Sequence, residues 1–133
     1  MGEKLDIHKR ERRYELATRN LELDATMTSK NKELIKNFLY DCALGKTIKN
    51  KAKKKIGVGR RLRYLECLVD ISRWFNKSLD EVSEKDMEKL ILDLESNKYR
   101  KKNGEPYSSS TIYEYKKSLE KFYKWMNKAN LVD

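Results

Sequence analysis

The chain of 133 residues has no glutamine, one proline, one histidine, two cysteines and five glycines. Each shortage removes a class of answer. One Pro and five Gly are too few turn-formers for a strand-and-turn architecture. His8 stands alone and Cys42 and Cys67 form no CxxC pair, so no metal site is expected. Each cysteine falls among apolar residues of an expected helix and reads as a reduced, buried thiol. No apolar run approaches the roughly 20 residues that cross a bilayer. The opening MGEKLDIHKRERRYEL lacks the apolar core of a signal peptide. Asp6 stands where N-myristoylation requires Ser or Thr. The pair Gly57 and Gly59 is no nucleotide loop, since GxxxxGK[ST] is missing and no strand precedes it. The expectation is an intracellular protein with no cofactor, no metal, no small-molecule ligand and no membrane partner.

What the chain does have is charge. Charged residues make up 39% and hydrophobic residues 38%, with a net charge of +10 and a pI near 9.5. A balance this basic points to a polyanionic partner, nucleic acid before an anionic membrane. The apolar residues fall in periodic blocks, which predicts a folded all-α domain of five helices. The first spans roughly Leu5 to Asn20, with Tyr14, Ala17 and Leu21 as a thin apolar line; this N-terminal helix or arm occupies 1–28. The second opens at Ser29 as cap, carries Leu34, Ile35, Phe38, Leu39 and Cys42 inward, and ends at Gly45 as a residue able to take φ > 0. The third, about Gly59 to Asn76, is apolar over a wide arc, and only Arg63, Glu66, Asp70 and Arg73 form a polar strip. Such a helix is packed on several sides and is expected at the centre. The fourth opens with Ser83 as N-cap, Asp86 at N3, and a staple of Val82 on Met87. The fifth starts from Ser108 and turns Ile112, Tyr115, Leu119, Phe122 and Met126 inward, with a staple from Tyr107 to Ile112.

The charges are segregated. Between Lys49 and Arg63 there are eight basic residues and no acidic one. Asp80 to Glu95 holds seven acids against Lys85 and Lys89. A second basic turn, NKYRKKNGEPY, carries Lys101 and Lys102 into the fifth helix. The back of that helix carries Tyr113, Lys117, Lys121, Lys124 and Lys128, with Lys116 on its flank. The third and fifth helices are thus both entered from a basic loop, and helix N-termini attract phosphate. The acidic fourth helix is expected to face away from any nucleic acid. Tyr64, Tyr115 and Tyr123 are expected in the core, Trp74 and Trp125 at its edge, and Tyr113 and Tyr107 at the surface.

Three segments, NKELIKNFLYDCALG, RRLRYLECLVDISRWFNKSLDEVSEKDMEKLILDLE and YSSSTIYEYKKSLEKFYKWM, carry a resemblance. Together they resemble the N-terminal core-binding (SAM-like) domain of tyrosine recombinases, or phage-type integrases, of the archaeal kind. Ser108, Thr111, Tyr115, Leu119, Phe122, Tyr123 and Trp125 match that family's Ser-x-x-Thr-x-x-x-Tyr…Leu…Phe-Tyr-x-Trp helix. The resemblance spans 29–127 and implies a bundle of four core helices on one side of duplex DNA. It implies contacts by Lys55, Arg60, Arg61 and Arg63 from the third helix, and by Ser109, Ser110, Thr111, Tyr113, Lys116 and Lys117 from the fifth. Lys53, Lys54, Lys101 and Lys102 join them as phosphate-tracking cations of the basic loops. The Lys-rich 46–59 insert departs from the family pattern. The family's catalytic Tyr and its Arg, Lys and His set have no counterpart here, so strand cleavage by this chain is not expected. Residues 128–133 would begin a linker to a catalytic domain, and the parent would work as a tetramer. That implies a cytoplasmic, nucleoid-associated module for DNA integration and recombination. A helical bundle for subunit contacts and a generic nucleic-acid binder are the alternatives. RNA modules are disfavoured by the missing aromatic sheet motifs and GXXG loop, and a membrane-surface role by the lack of an apolar face opposite the basic stretches.

Overall fold

The computed structural model describes residues 2–47 and 55–128, with side chains for 9–47 and 55–127. Five α-helices follow one another: α1 (Gly2–Leu23), α2 (Ser29–Ala43), α3 (Val58–Phe75), α4 (Glu84–Glu95) and α5 (Ser109–Lys128). A single 3-10 turn, Leu79–Glu81, joins α3 to α4. The protein is an all-α bundle. Among the described residues the only sheet-like pairing is one bridge, Arg100 to Pro106.

The central place of α3 follows from its sequence. Leu62, Tyr64, Leu65, Cys67, Leu68 and Ile71 are all buried, and α3 packs against each of the other four helices. Phe38 of α2 and Phe122 and Trp125 of α5 meet beside it, with Phe38 edge-on to Phe122 at 5.4 Å between ring centroids. The free thiols of Cys42 and Cys67 are buried in this core, and burial pushes the Cys42 thiol up to about 11.

The starts and stops are mostly those the sequence dictates. Ser83 and Asp86 form a full capping box. Ser108 Oγ accepts from the Thr111 amide at 3.2 Å, and Gly45 takes φ 76° after α2. The cap of α2 differs from expectation: it is Thr28, whose side chain accepts from the Asn31 amide, and Ser29 is the first helical residue. Asn76 and Asn97 close α3 and the turn after α4 in the left-handed region, at φ 52° and 62°. Asparagine tolerates that region better than other side chains do.

The N-terminal helix is longer than its periodicity suggests and is docked, not free. Leu21 is buried and Tyr14 and Ala17 pack against the core. Arg10 lies 3.6 Å from the Cβ position at Gly59, near the start of α3. Asp24, just past α1, accepts from Arg73 near the end of α3 at 2.8 Å. The two helices therefore run side by side in the same direction.

One polar node ties the layers together. Asn31 is buried; its side-chain oxygen accepts from the Leu79 amide at 2.9 Å, and its amide nitrogen donates to the Lys77 carbonyl at 3.1 Å. The Tyr123 hydroxyl donates to the Leu79 carbonyl at 2.8 Å. Both backbone groups of a residue with no exposed surface are thus satisfied by side chains of α2 and α5. Asn31→Ala leaves the buried Leu79 amide unpaired and removes the part-buried bond to the Lys77 carbonyl. It is expected to cost about 1–3 kcal/mol in urea unfolding, the penalty for one stranded buried group. A second prediction concerns acid. Bonds from Thr26, then Arg73, hold the Asp24 carboxyl down at about 2. A carboxyl depressed on folding stabilises the fold above its ordinary value of 3.8. That contribution is lost as pH falls from there through about 2. Asp24→Asn should therefore narrow the difference in melting temperature between pH 6 and pH 2.

Candidate nucleic-acid interface

Three helices and the segments leading into α3 and α5 supply the cationic side chains, which differ in how free they are. Lys55 is exposed immediately before α3. Gly57 caps α3 with no side-chain bond, whereas Thr28, Ser83 and Ser108 each cap their helices through a hydroxyl. Arg60 in the first turn of α3 is half-buried, its guanidinium hydrogen-bonded to the Glu114 carboxylate of α5. That bond raises the Arg60 pKa further and joins the opening turns of the two helices. Arg63 lies one turn along, beside Arg10, Gly59, Arg60 and Glu114 in a shallow depression. Three guanidinium groups and one carboxylate line that depression, which leaves it net positive.

Arg61 is spent on the fold. Its Nε donates to the Ile56 carbonyl at 3.1 Å, and its guanidinium lies over the Tyr14 ring at 4.9 Å. It fixes the entry to α3 and clamps α1, both on the side away from Arg63. Lys53 and Lys54 lie outside the described residues, as do residues 129–133 of the expected linker.

At α5, Ser109, Ser110 and Tyr113 are exposed, with Tyr113 at 60%. Thr111 is half-buried, and its hydroxyl accepts from Ser108 Oγ at 3.0 Å. Lys117 is half-buried. Lys116 Nζ is 3.9 Å from Glu95, so the basic face of α5 is bordered by α4 rather than remote from its acids. Lys101 and Lys102 are exposed on a tight turn, where the Lys101 amide donates to the Glu105 carbonyl and Gly104 takes φ 87°. That turn is seated by stacking: Tyr99 lies on Trp74 at 4.3 Å, and Tyr107 and Tyr115 close the cluster. Tyr107 is therefore a half-buried packing residue and not a surface ring. Tyr115 donates to Asp70 at 2.6 Å, and burial first, then that bond, raises its pKa so that it stays protonated.

The sequence reading missed two contributors. Glu114 interrupts the basic array, and nothing in helix periodicity says that it meets Arg60. Arg10 reaches the same depression from a helix treated as separate. The charge run of α1 was the available signal, but not its direction.

Comparison with known protein families, with curated proteins and with solved structures finds no match. Among the described residues no group of acidic, Cys or His side chains is arranged to hold a metal ion, and no helix is long and apolar enough to cross a membrane. The division between structural and free arginines has a direct test. Arg61→Ala is expected to lower unfolding free energy by about 1–3 kcal/mol, through loss of a charge-assisted bond to a carbonyl and a cation–π contact. Arg63→Ala should stay within about 0.5 kcal/mol, as at other surface positions. Urea midpoints of the two variants separate the roles.

Proposed function

We propose that this chain is a duplex-DNA-binding module that positions a site-specific tyrosine recombinase on its target in DNA integration and recombination, inside the cell, without itself performing catalysis. The observation that carries the reading is the joining of the opening turns of α3 and α5 by Arg60 and Glu114. That bond brings a net-positive depression on α3 together with the exposed Ser109, Ser110 and Tyr113 of α5. A helix start with unpaired amides, cations beside it and short polar side chains on a neighbouring start is suited to gripping a phosphate backbone. Lys55, Arg63, Lys101, Lys102 and Lys117 would supply most of the affinity, and Tyr113, Ser109 and Ser110 a modest reading of base edges. The resemblance of 29–127 to recombinase core-binding domains supplies the biological setting.

A second reading, docking of a neighbouring recombinase subunit, is favoured by one feature. Between α4 and α5 lies a groove of about 770 Å³, floored by Met87, Ile91, Leu119 and Tyr123 and edged by Asp80, Glu81, Glu84 and Glu120, against Lys116 and Lys124. Its acidic edge is unsuited to DNA.

Fluorescence anisotropy against a short duplex, a matching single strand and a hairpin RNA distinguishes the readings. Neutralising roughly five phosphates gives a fall of log K with log salt at a slope near −4 to −5. Preference for the duplex with that slope, and at least a tenfold loss in Lys55→Glu/Arg63→Glu, is the expected result. Equal binding to all three would reduce the module to a polyanion binder. No binding at low salt would leave the α4–α5 groove as the functional surface.

A further inference from the structure

From Lys9 onward the two flanks of α1 carry opposite charge. At roughly 100° per residue, the buried line Tyr14, Ala17 and Leu21 divides the helix. Glu11, Glu15 and Glu22 fall on one side of it, and Lys9 and Arg13 on the other. Arg10 continues the buried line itself, toward the start of α3. The acidic flank is accounted for: Glu22 pairs with Lys36 of α2 at 2.8 Å, so that flank is turned toward α2. The basic flank is turned the opposite way, to the side on which Arg63 emerges between α1 and α5. Lys9, Arg10 and Arg13 are exposed, and among the described residues none of them is held in an ion pair.

Direction matters as much as charge. Because α1 and α3 run in parallel, with Arg10 beside Gly59, the turns before Arg10 carry on past the start of α3. By helix geometry Lys9 and Arg13 fall at the same end of the bundle as the depression lined by Arg10, Arg60 and Arg63. An isolated surface charge has little consequence. A line of unpaired cations continuing a net-positive depression has the form of a track for regularly spaced phosphates.

We propose that α1 is a third phosphate-contacting element, in which Lys9, Arg10 and Arg13 extend the basic surface of α3 along the backbone of a bound duplex. The assignment rests on the duplex-binding reading and adds to it a helix outside the segment that resembles core-binding domains. It also gives α1 a reason to be docked on α3, since Tyr14 and Arg61 fix its angle to the rest of the surface.

The test compares two charge reversals of equal size in the intact chain. Lys9→Glu/Arg13→Glu alters the basic flank of α1. Lys85→Glu/Lys89→Glu makes the same change of net charge on α4, on exposed side chains of the acidic helix. Circular dichroism and thermal melts establish that both remain folded, and each is titrated against the same short duplex over a range of salt. The α1 variant should bind about tenfold or more weakly, with a salt slope shallower by about 2, the loss of two phosphate contacts. The α4 variant should lose less than about threefold and keep its slope. Equal losses in the two variants would mean that only net charge matters, and would overturn the assignment. So would an α1 variant that binds like the unaltered chain while Lys55→Glu/Arg63→Glu loses affinity, and in that case the duplex-binding reading would stand. If the unaltered chain fails to bind duplex, both fall together.

Discussion

Everything in this molecule is arranged around the burial of α3. A helix with apolar side chains over most of its circumference is unstable in water unless other elements cover that apolar arc, and four helices do so here. Each fully buried large apolar side chain contributes on the order of 1.5–3 kcal/mol. The ring cluster of Phe38, Phe122 and Trp125 concentrates that gain where α2 and α5 meet. The one strip of α3 left uncovered is its polar one, and that strip begins with Arg63. The candidate interface is therefore what remains when the demand for burial has been met.

The same logic explains which parts of the fold are legible in the sequence. Periodicity places α2 to α5, because each has an apolar stripe broad enough to specify its inward face. The capping box at Ser83 and the hydroxyl at Ser108 mark their helices directly. Thr28 and Ser29 are chemically equivalent caps, and the sequence does not distinguish them. Docking of α1 is less visible: its apolar line is thin, and much of its attachment is the stacking of Arg61 on Tyr14 and the ion pair of Asp24 with Arg73. Both are contacts between residues far apart in the chain, which local patterns do not encode.

At the candidate interface, composition and helix position picked out the region but not the division of labour within it. Arg60, Arg61 and Arg63 stand within one turn of each other, and a basic run makes them look alike. Their fates diverge with rotation about the helix: Arg61 turns toward Tyr14 and the Ile56 carbonyl, Arg60 toward Glu114, and the half-buried Arg63 lines the depression beside Arg10. A rotation of roughly 100° per residue decides which cation is scaffold and which is free.

The bond between Arg60 and Glu114 bears on how tightly any polyanion would be bound. A polyanion such as a nucleic-acid backbone holds condensed cations that are released when a protein cation takes their place, and salt dependence counts that release. Arg60 carries a counterion that is part of the polypeptide. Exchanging Glu114 for a phosphate would release a cation from the polyanion, but it would also uncover a carboxylate that has to be hydrated again. A phosphate contact by Arg60 would therefore add less affinity than one by a cation with no internal partner, because loss of the bond to Glu114 offsets part of the gain.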